Sequence, residues 1–131
     1  MPALFISGLS GVRPDALYEF RDVLKRAVAL FDRGELQIDE SQVDVFFLAE
    51  EAPDPNGTIF LIVEGLFRNP GNGKRARTSA VRQALAKMLA DLLRDFADRN
   101  HLNHRLVEVL VKDFDNHRCG FAAAPGKKPE P

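Results

Sequence analysis

The pattern of apolar and polar positions divides the chain into two halves of similar organisation. In each half a short apolar run, typical of a β-strand, precedes a long stretch with apolar residues every three or four positions, as in an amphipathic helix. A second apolar run then follows. The predicted strands are residues 2–7, 43–49, 58–67 and 106–114. This order predicts two consecutive β-α-β units, each containing a parallel strand pair.

The two predicted helices carry recognisable start and stop signals. The first begins near Pro14 and ends before Gly34, because proline suits a first helical turn and glycine commonly follows a last one. The second begins after Thr78 or Ser79, either of which can cap it. Each helix has one apolar stripe: Leu17, Phe20, Leu24, Ala27, Val28 and Phe31 in the first, and Val81, Leu85, Met88, Leu89, Leu92, Leu93 and Phe96 in the second.

These elements predict an α+β fold of two layers, a four-stranded mixed sheet with both helices on one face. The right-handed crossover rule places the two helices on the same side. The other face is then uncovered, yet the strands are too apolar for that face to be wet. Six strand residues cannot all point at the helices: Phe46, Leu48, Phe60, Ile62, Val107 and Val109. We therefore expect the bare face to pack against other copies of the chain.

Composition narrows the class of protein. The chain has 131 residues, 45% of them hydrophobic, which suits one domain at residues 1–121 and a flexible C-terminal tail at 122–131. With 18 basic and 19 acidic residues, the net charge of −1 argues against nucleic-acid and membrane partners. The absence of a long apolar run and of a leader pattern, together with one cysteine, Cys119, predicts a cytoplasmic location.

Two other candidate sites are rejected on their spacing. The glycine-rich basic stretch at 70–76 is no phosphate-binding P-loop, because Arg68 stands where that motif needs glycine and Arg75 stands where it needs a hydroxyl residue. His101 and His104 are three apart but have no carboxylate partner motif, so we interpret them as surface residues. No metal or cofactor is expected.

Pro2 is the first candidate for chemistry. Methionine is commonly removed before a small residue, which would leave Pro2 with a secondary amine at the chain terminus. The pKa of an α-amino group is about 7.7–8.0, and burial or nearby cations lower it. Such an amine suits general base catalysis near neutral pH. The alternative interpretation is a proline that only begins a strand, where its missing N–H costs nothing.

Several features together resemble the tautomerase superfamily. Met1-Pro2 leads directly into a strand, and the β-α-β unit is duplicated. The stretches TIF at 58–60 and GLFR at 65–68 precede a glycine-containing basic loop and a long helix. This superfamily includes 4-oxalocrotonate tautomerase, macrophage migration inhibitory factor and cis-3-chloroacrylic acid dehalogenase, and the GLFR segment looks most like the dehalogenase branch. The resemblance covers roughly residues 2–121.

The resemblance implies a homotrimer with active sites at the amino termini, between subunits. It implies Pro2 as general base and arginines that bind a substrate carboxylate. Arg68 falls on such a position. Arg75 is the preferred second arginine, with Arg77 and Lys74 as alternatives because the loop looks longer here.

Two further residues are candidates for the substrate site. Arg13 follows the first strand, near the expected ligand position, and Phe67 could contribute an apolar wall. Glu108 either lines the pocket or makes a salt bridge across a subunit boundary.

Two departures from the dehalogenase branch bear on the reaction. Arg118 stands near the position of its water-activating glutamate, and Val109 near that of its tyrosine. Water addition to a haloacrylate is therefore not expected. The resemblance instead implies keto-enol tautomerisation of a small 2-oxo acid without a cofactor. The alternative is a catalytically silent trimer that binds an anion or a partner through the basic loop.

Overall fold

The computed structural model describes residues 2–49, 57–71, 73–102 and 106–115, and also residues 118, 122, 124 and 126. The elements are β1 (Ala3–Ser7), α1 (Pro14–Gly34), β2 (Asp44–Phe47), β3 (Thr58–Glu64), α2 (Ser79–Arg99) and β4 (Leu106–Val111), with a short 3₁₀ turn at Glu40–Gln42 before β2. The four strands and two helices predicted from the apolar pattern are confirmed. Most of the predicted tail, Cys119, His104 and the turn before Gly57 lie outside the described residues.

The strands form one mixed sheet in the order β2-β1-β3-β4. β1 pairs in parallel with β2, and β3 pairs in parallel with β4, as two β-α-β units require. The two units meet where β1 and β3 run antiparallel, with Leu4 opposite Val63. The start of β1 therefore lies beside the end of β3, and this juxtaposition places the site described below.

The core fills the space between the sheet and the two helices. Alternate strand residues point into it, among them Leu4, Ile6, Ile59, Leu61 and Val63, each at most 1% exposed. They meet the apolar stripes of the helices: Phe20, Leu24 and Val28 from α1, and Leu85, Leu89, Leu93, Phe96 and Ala97 from α2. The rings of Phe20 and Phe96 stack with their centroids 3.9 Å apart, joining the helices above the sheet.

The opposite sheet face is open, as predicted. Phe46, Leu106 and Leu110 are each about half exposed there. Val107 and Val109 do not belong to this face, because they pair with Ile59 and Leu61 and pack against the core. Among the described residues, none of the helices combines the length and apolar character that crossing a bilayer requires.

Several elements end earlier than the apolar pattern indicated. β3 stops at Glu64 because Gly65 adopts a left-handed backbone, with φ of 74°. Regular helical backbone in α1 breaks at Phe31, since Asp32 and Arg33 also have positive φ. The chain then turns back, and the buried residue Leu36 lies beneath the loop that joins β3 to α2. We call this loop, residues 65–78, the basic loop.

Candidate active site

A cavity of about 170 Å³ lies at the start of β1, next to the end of β3. Its apolar walls come from Ile38, Leu66, Phe67 and Pro70, and its polar lining from Gln42, Lys74 and Arg77, with Pro2 and Gly65 completing it. These residues meet because β1 and β3 are antiparallel. Pro2, which precedes β1, therefore lies opposite the residues that follow β3. The cavity therefore combines Pro2 with two cationic side chains.

Pro2 is buried beside this cavity. Its carbonyl accepts a hydrogen bond from the backbone N–H of Asp44, at 3.1 Å, which extends the β1–β2 ladder by one residue. A proline at this position forfeits no ladder hydrogen bond, since it precedes the first paired residue of β1. The backbone of Pro2 is thus fixed on the sheet while its ring lines the cavity.

Arg77 is the buried charged residue of the described chain, with 5% of its surface exposed. One terminal nitrogen donates to the carbonyl of Phe67 at 2.9 Å, and the other donates to the carbonyl of Leu36 at 2.6 Å. Its Nε–H has no acceptor among the described residues, and no carboxylate there pairs with its charge. Burial lowers the pKa of the guanidinium. A buried cation without a counter-charge is costly, and an anionic ligand would relieve that cost.

Arg68 lies outside the cavity. Its guanidinium contacts both oxygens of Asp113, with Nε to Oδ1 at 2.9 Å, and a third nitrogen lies 3.4 Å from Asp115. The hydrogen bond from Arg68, reinforced by the charges of Arg82 and Arg68, holds the pKa of Asp113 below its ordinary value. Arg68 was the first candidate to bind a substrate carboxylate. In the structure its guanidinium is already bound by two carboxylates of the chain itself, those of Asp113 and Asp115.

Arg75 and Arg13 also lie outside the cavity. The backbone N–H of Arg75 donates to the side-chain oxygen of Gln37 at 2.9 Å, and Arg75 lines a separate polar cleft at the end of α1. In that cleft a hydrogen bond with Asp32 raises the pKa of Glu35. Arg13 is exposed at the start of α1, with its Nε 3.6 Å from Asp15.

Of the five residues that sequence singled out, the structure brings two together, Pro2 and Phe67. Lys74 and Arg77, the alternatives to Arg75, line the same cavity. Glu108 is exposed on the open sheet face. His101 is exposed, and no group of metal-ligating side chains occurs in the ranges that the structure describes.

Sequence reasoning missed Ile38, Gln42 and Pro70. Gln42 carried a readable signal, since residues 39–42 form a capping box in which the Gln42 side chain accepts from the backbone N–H of Asp39 at 2.9 Å. That turn places Gln42 at the cavity. No pattern marked Ile38, whose position depends on the turn after α1.

Comparisons with known proteins concern the fold. No protein-family model and no curated protein matches the chain. Among solved structures, the chain is similar to F6, a fused 4-OT described as an asymmetric trimer, with a TM-score of 0.60, 15% identity and 91% of each chain covered. It is also similar to N1, a member of the cis-3-chloroacrylic acid dehalogenase family, with a TM-score of 0.59 and 16% identity over 91% of this chain and 79% of that one.

A third similar structure is a macrophage migration inhibitory factor-like protein from Entamoeba histolytica. Its TM-score is 0.59 and its identity 8%, covering 92% of this chain and 95% of that one. At these identities the agreement concerns the path of the backbone. The chain has the fold of the tautomerase superfamily.

Proposed function

We propose that this protein is a cofactor-free tautomerase that acts on a small 2-oxo acid or its enol. The observation that carries the proposal is the cavity shared by Pro2 and Arg77: both are buried, and the Arg77 guanidinium has no carboxylate partner among the described residues. In this proposal Pro2, freed by removal of Met1, is the general base, and Arg77 binds the substrate carboxylate. The likeness in fold to a fused 4-OT supports the choice of reaction.

Ketonisation of an enol moves one proton from the enol oxygen to carbon 3. The neutral amine of Pro2 takes the hydroxyl proton, and the resulting ammonium delivers it to the carbon, so no other reactant is consumed. The positive charge of Arg77 disfavours a second positive charge nearby and thus lowers the pKa of that amine. This tuning raises the fraction of neutral base near pH 7.

The Arg77 guanidinium retains N–H donors with which to bind a substrate carboxylate. A guanidinium carries five N–H groups, and the carbonyls of Phe67 and Leu36 use two of its nitrogens once each. The Nε–H and one further N–H on each terminal nitrogen remain. Lys74, on the same cavity wall, is the second cation available to an enolate or carboxylate oxygen. Charge-assisted hydrogen bonds of this kind are the strongest that side chains make.

We further propose that the protein works as a homotrimer. The open sheet face carries half-exposed apolar side chains, and one of the similar structures is described as a trimer. Three copies packed through this face would bury it and would place neighbouring chains beside each cavity.

The test is ketonisation of phenylenolpyruvate by untagged protein whose intact mass shows that Met1 is absent. We expect protein that retains Met1 to lack the enzyme-dependent rate, because its Pro2 nitrogen is then an amide and cannot act as a base. We expect Arg77→Gln to raise KM at least tenfold, because a buried charged hydrogen-bond donor is lost. Arg94→Gln is the matched control, since Arg94 is exposed on α2 and pairs with Asp91 at 3.1 Å.

The wild-type rate decides between enzyme and binding module. A rate that is unchanged when Met1 is retained would contradict the role of the amine. No rate in the wild type, with phenylpyruvate still bound in an Arg77-dependent way, would instead favour the silent anion-binding trimer.

A further inference from the structure

Arg68 belongs to a charged cluster at the ends of the basic loop. Besides its contacts with Asp113 and Asp115, its backbone N–H donates to the carbonyl of Phe114 at 2.8 Å. The cluster thus fastens the end of β3 to the chain that follows β4. Asp113 and Asp115 come from this distant segment, 45 and 47 residues along the chain from Arg68.

Arg82 joins this cluster to Arg77. Its NH1 lies 3.4 Å from Oδ1 of Asp113 and also donates to the carbonyl of Arg77 at 2.6 Å. Only 18% of the Arg82 side chain is exposed, so this nitrogen is largely shielded from water. The Arg82 guanidinium therefore connects the carboxylate of Asp113 to the backbone of Arg77.

The other side of the Arg77 backbone is tied to Arg68 itself. The N–H of Arg77 donates to the carbonyl of Arg68 at 2.8 Å. Both peptide groups of Arg77 are thus held by members of the cluster, one by Arg68 and one by Arg82. The position of the buried guanidinium then follows from a fixed backbone and from its bonds to Phe67 and Leu36.

We propose that Arg68, Asp113 and Arg82 form a clamp that positions Arg77 to bind the substrate carboxylate. In this arrangement Arg68 acts through Arg77 and does not touch the substrate, unlike the role that sequence resemblance implied. The inference rests on the proposed function, because the ligand of Arg77 is the carboxylate assigned there. The three clamp residues are positioning residues.

The clamp has a kinetic signature. An arginine that binds a carboxylate which does not change during the reaction stabilises the ground state and the transition state alike. Loss of its positioning, with its charge still near Pro2 to lower the pKa of the amine, therefore raises KM and leaves kcat nearly unchanged. Asp113→Asn keeps the shape of the side chain but removes the charge that Arg68 and Arg82 share. We expect it to raise KM about tenfold, the equivalent of one charge-assisted hydrogen bond.

A double-mutant cycle separates positioning from general damage. Asp113→Asn is measured alone and in the Arg77→Gln background, with Asp91→Asn on α2 as the control that breaks an exposed ion pair. We expect the effect of Asp113→Asn to disappear when Arg77 is already gone, because the two residues act through one interaction. An equal effect in both backgrounds would overturn the clamp. So would a lower KM in Asp113→Asn, which would mean that Asp113 withholds Arg68 from the substrate.

A measurement without substrate keeps this inference separate from the proposed function. Hydrogen exchange of the Arg77 Nε–H, followed by nitrogen-15 NMR, reports the burial of that group whether or not the protein turns over an enol. We expect exchange at least about tenfold faster in Asp113→Asn and in Arg82→Gln, since opening of the local structure controls exchange. Asp91→Asn should leave it unchanged. Unaltered exchange in folded Asp113→Asn and Arg82→Gln would overturn the clamp, whereas an inactive wild type would count only against the tautomerase.

Discussion

At the scale of a single residue, Arg77 is a buried charge that no carboxylate among the described residues neutralises. Hydrogen bonds to two carbonyls partly replace its lost hydration, but neither carbonyl neutralises its charge. Arginines buried for structural reasons are ordinarily paired with a carboxylate. The chain does supply carboxylates near this loop, yet Asp113 and Asp115 contact Arg68 instead. The result is one arginine, Arg68, that carboxylates neutralise outside the cavity, and one, Arg77, that lines the cavity without such a partner among the described residues.

The pairing of Asp113 predicts a pH dependence of stability. Because Arg68 and Arg82 lower the pKa of Asp113 in the folded protein, its ionised form stabilises the fold above the unfolded-state pKa of about 3.9. That contribution is lost as the pH falls through the lower folded-state pKa. We therefore expect the wild type to be more stable than Asp113→Asn at pH 7, and the difference to shrink below about pH 4. Urea unfolding at a series of pH values measures it.

The control for this prediction is Asp91→Asn, whose carboxylate is half exposed and contacts one arginine of its own helix. Exposed pairs of this kind contribute little, so the control should remain close to the wild type at each pH. A difference between the wild type and Asp113→Asn that stays constant from pH 7 to pH 3 would show that Asp113 stabilises by its shape and not by its charge.

At the scale of secondary-structure elements, the spacing of apolar residues was sufficient to predict the strands and helices. It was not sufficient to predict which residues form the site. The apolar stripes of α1 and α2 and the order of the elements along the chain follow from spacing alone, because a helix or a strand must bury one face. The order of the strands in the sheet, β2-β1-β3-β4, does not. The contact of Arg68 with Asp113 depends instead on the parallel pairing of β3 and β4 and on the bridge between Phe67 and Phe114 beyond it. No local pattern shows that a carboxylate 45 residues away reaches Arg68. Sequence therefore identified the basic loop but left its arginines unresolved.

The turn after β1 depends on one glycine. Gly8 has φ of 96°, and a Cβ there would lie 2.5 Å from the carbonyl oxygen of Thr58 and 2.9 Å from Cα of Ile59. We expect Gly8→Ala to destabilise the protein by about 2–4 kcal/mol, the combined cost of a strained backbone and of overpacking against β3. Thermal and urea unfolding measure the change in the free energy of unfolding.

Gly34 provides the matched control for Gly8. Its φ of 80° is similar, but the nearest atom to an added Cβ would be the carbonyl oxygen of Ala29 at 3.8 Å, an ordinary contact. Gly34→Ala should therefore cost only the backbone strain, about 1–2 kcal/mol. Equal losses of unfolding free energy in Gly8→Ala and Gly34→Ala would mean that the close contact of Gly8 with β3 adds nothing to the cost of Gly8→Ala.

At the scale of the whole molecule, the two faces of the sheet differ in how far their side chains are buried. One face is closed by α1 and α2, and its central residues are fully buried. The other leaves Phe46, Leu106 and Leu110 half exposed, with Phe5 stacked on Phe46 at a centroid distance of 5.2 Å. A homotrimer formed through this open face would remove these side chains from water, which favours association. The cavity at Pro2 lies where β1 begins and β3 ends, at one end of the same sheet, and would then adjoin a neighbouring chain.

Assembly and activity should therefore be lost together when the open face is made charged. We expect wild-type protein to sediment as a trimer and Leu110→Glu to sediment as a monomer that keeps its helical circular dichroism, because Leu110 lies outside the core. Leu30→Glu is the control, since Leu30 is 65% exposed on α1 and lies away from the sheet. It should remain trimeric. If both variants and the wild type sediment as monomers and ketonise phenylenolpyruvate at equal rates, the single chain holds a complete site and the open face has no part in it. If Leu110→Glu alone dissociates and loses activity, the neighbouring chain contributes to each site.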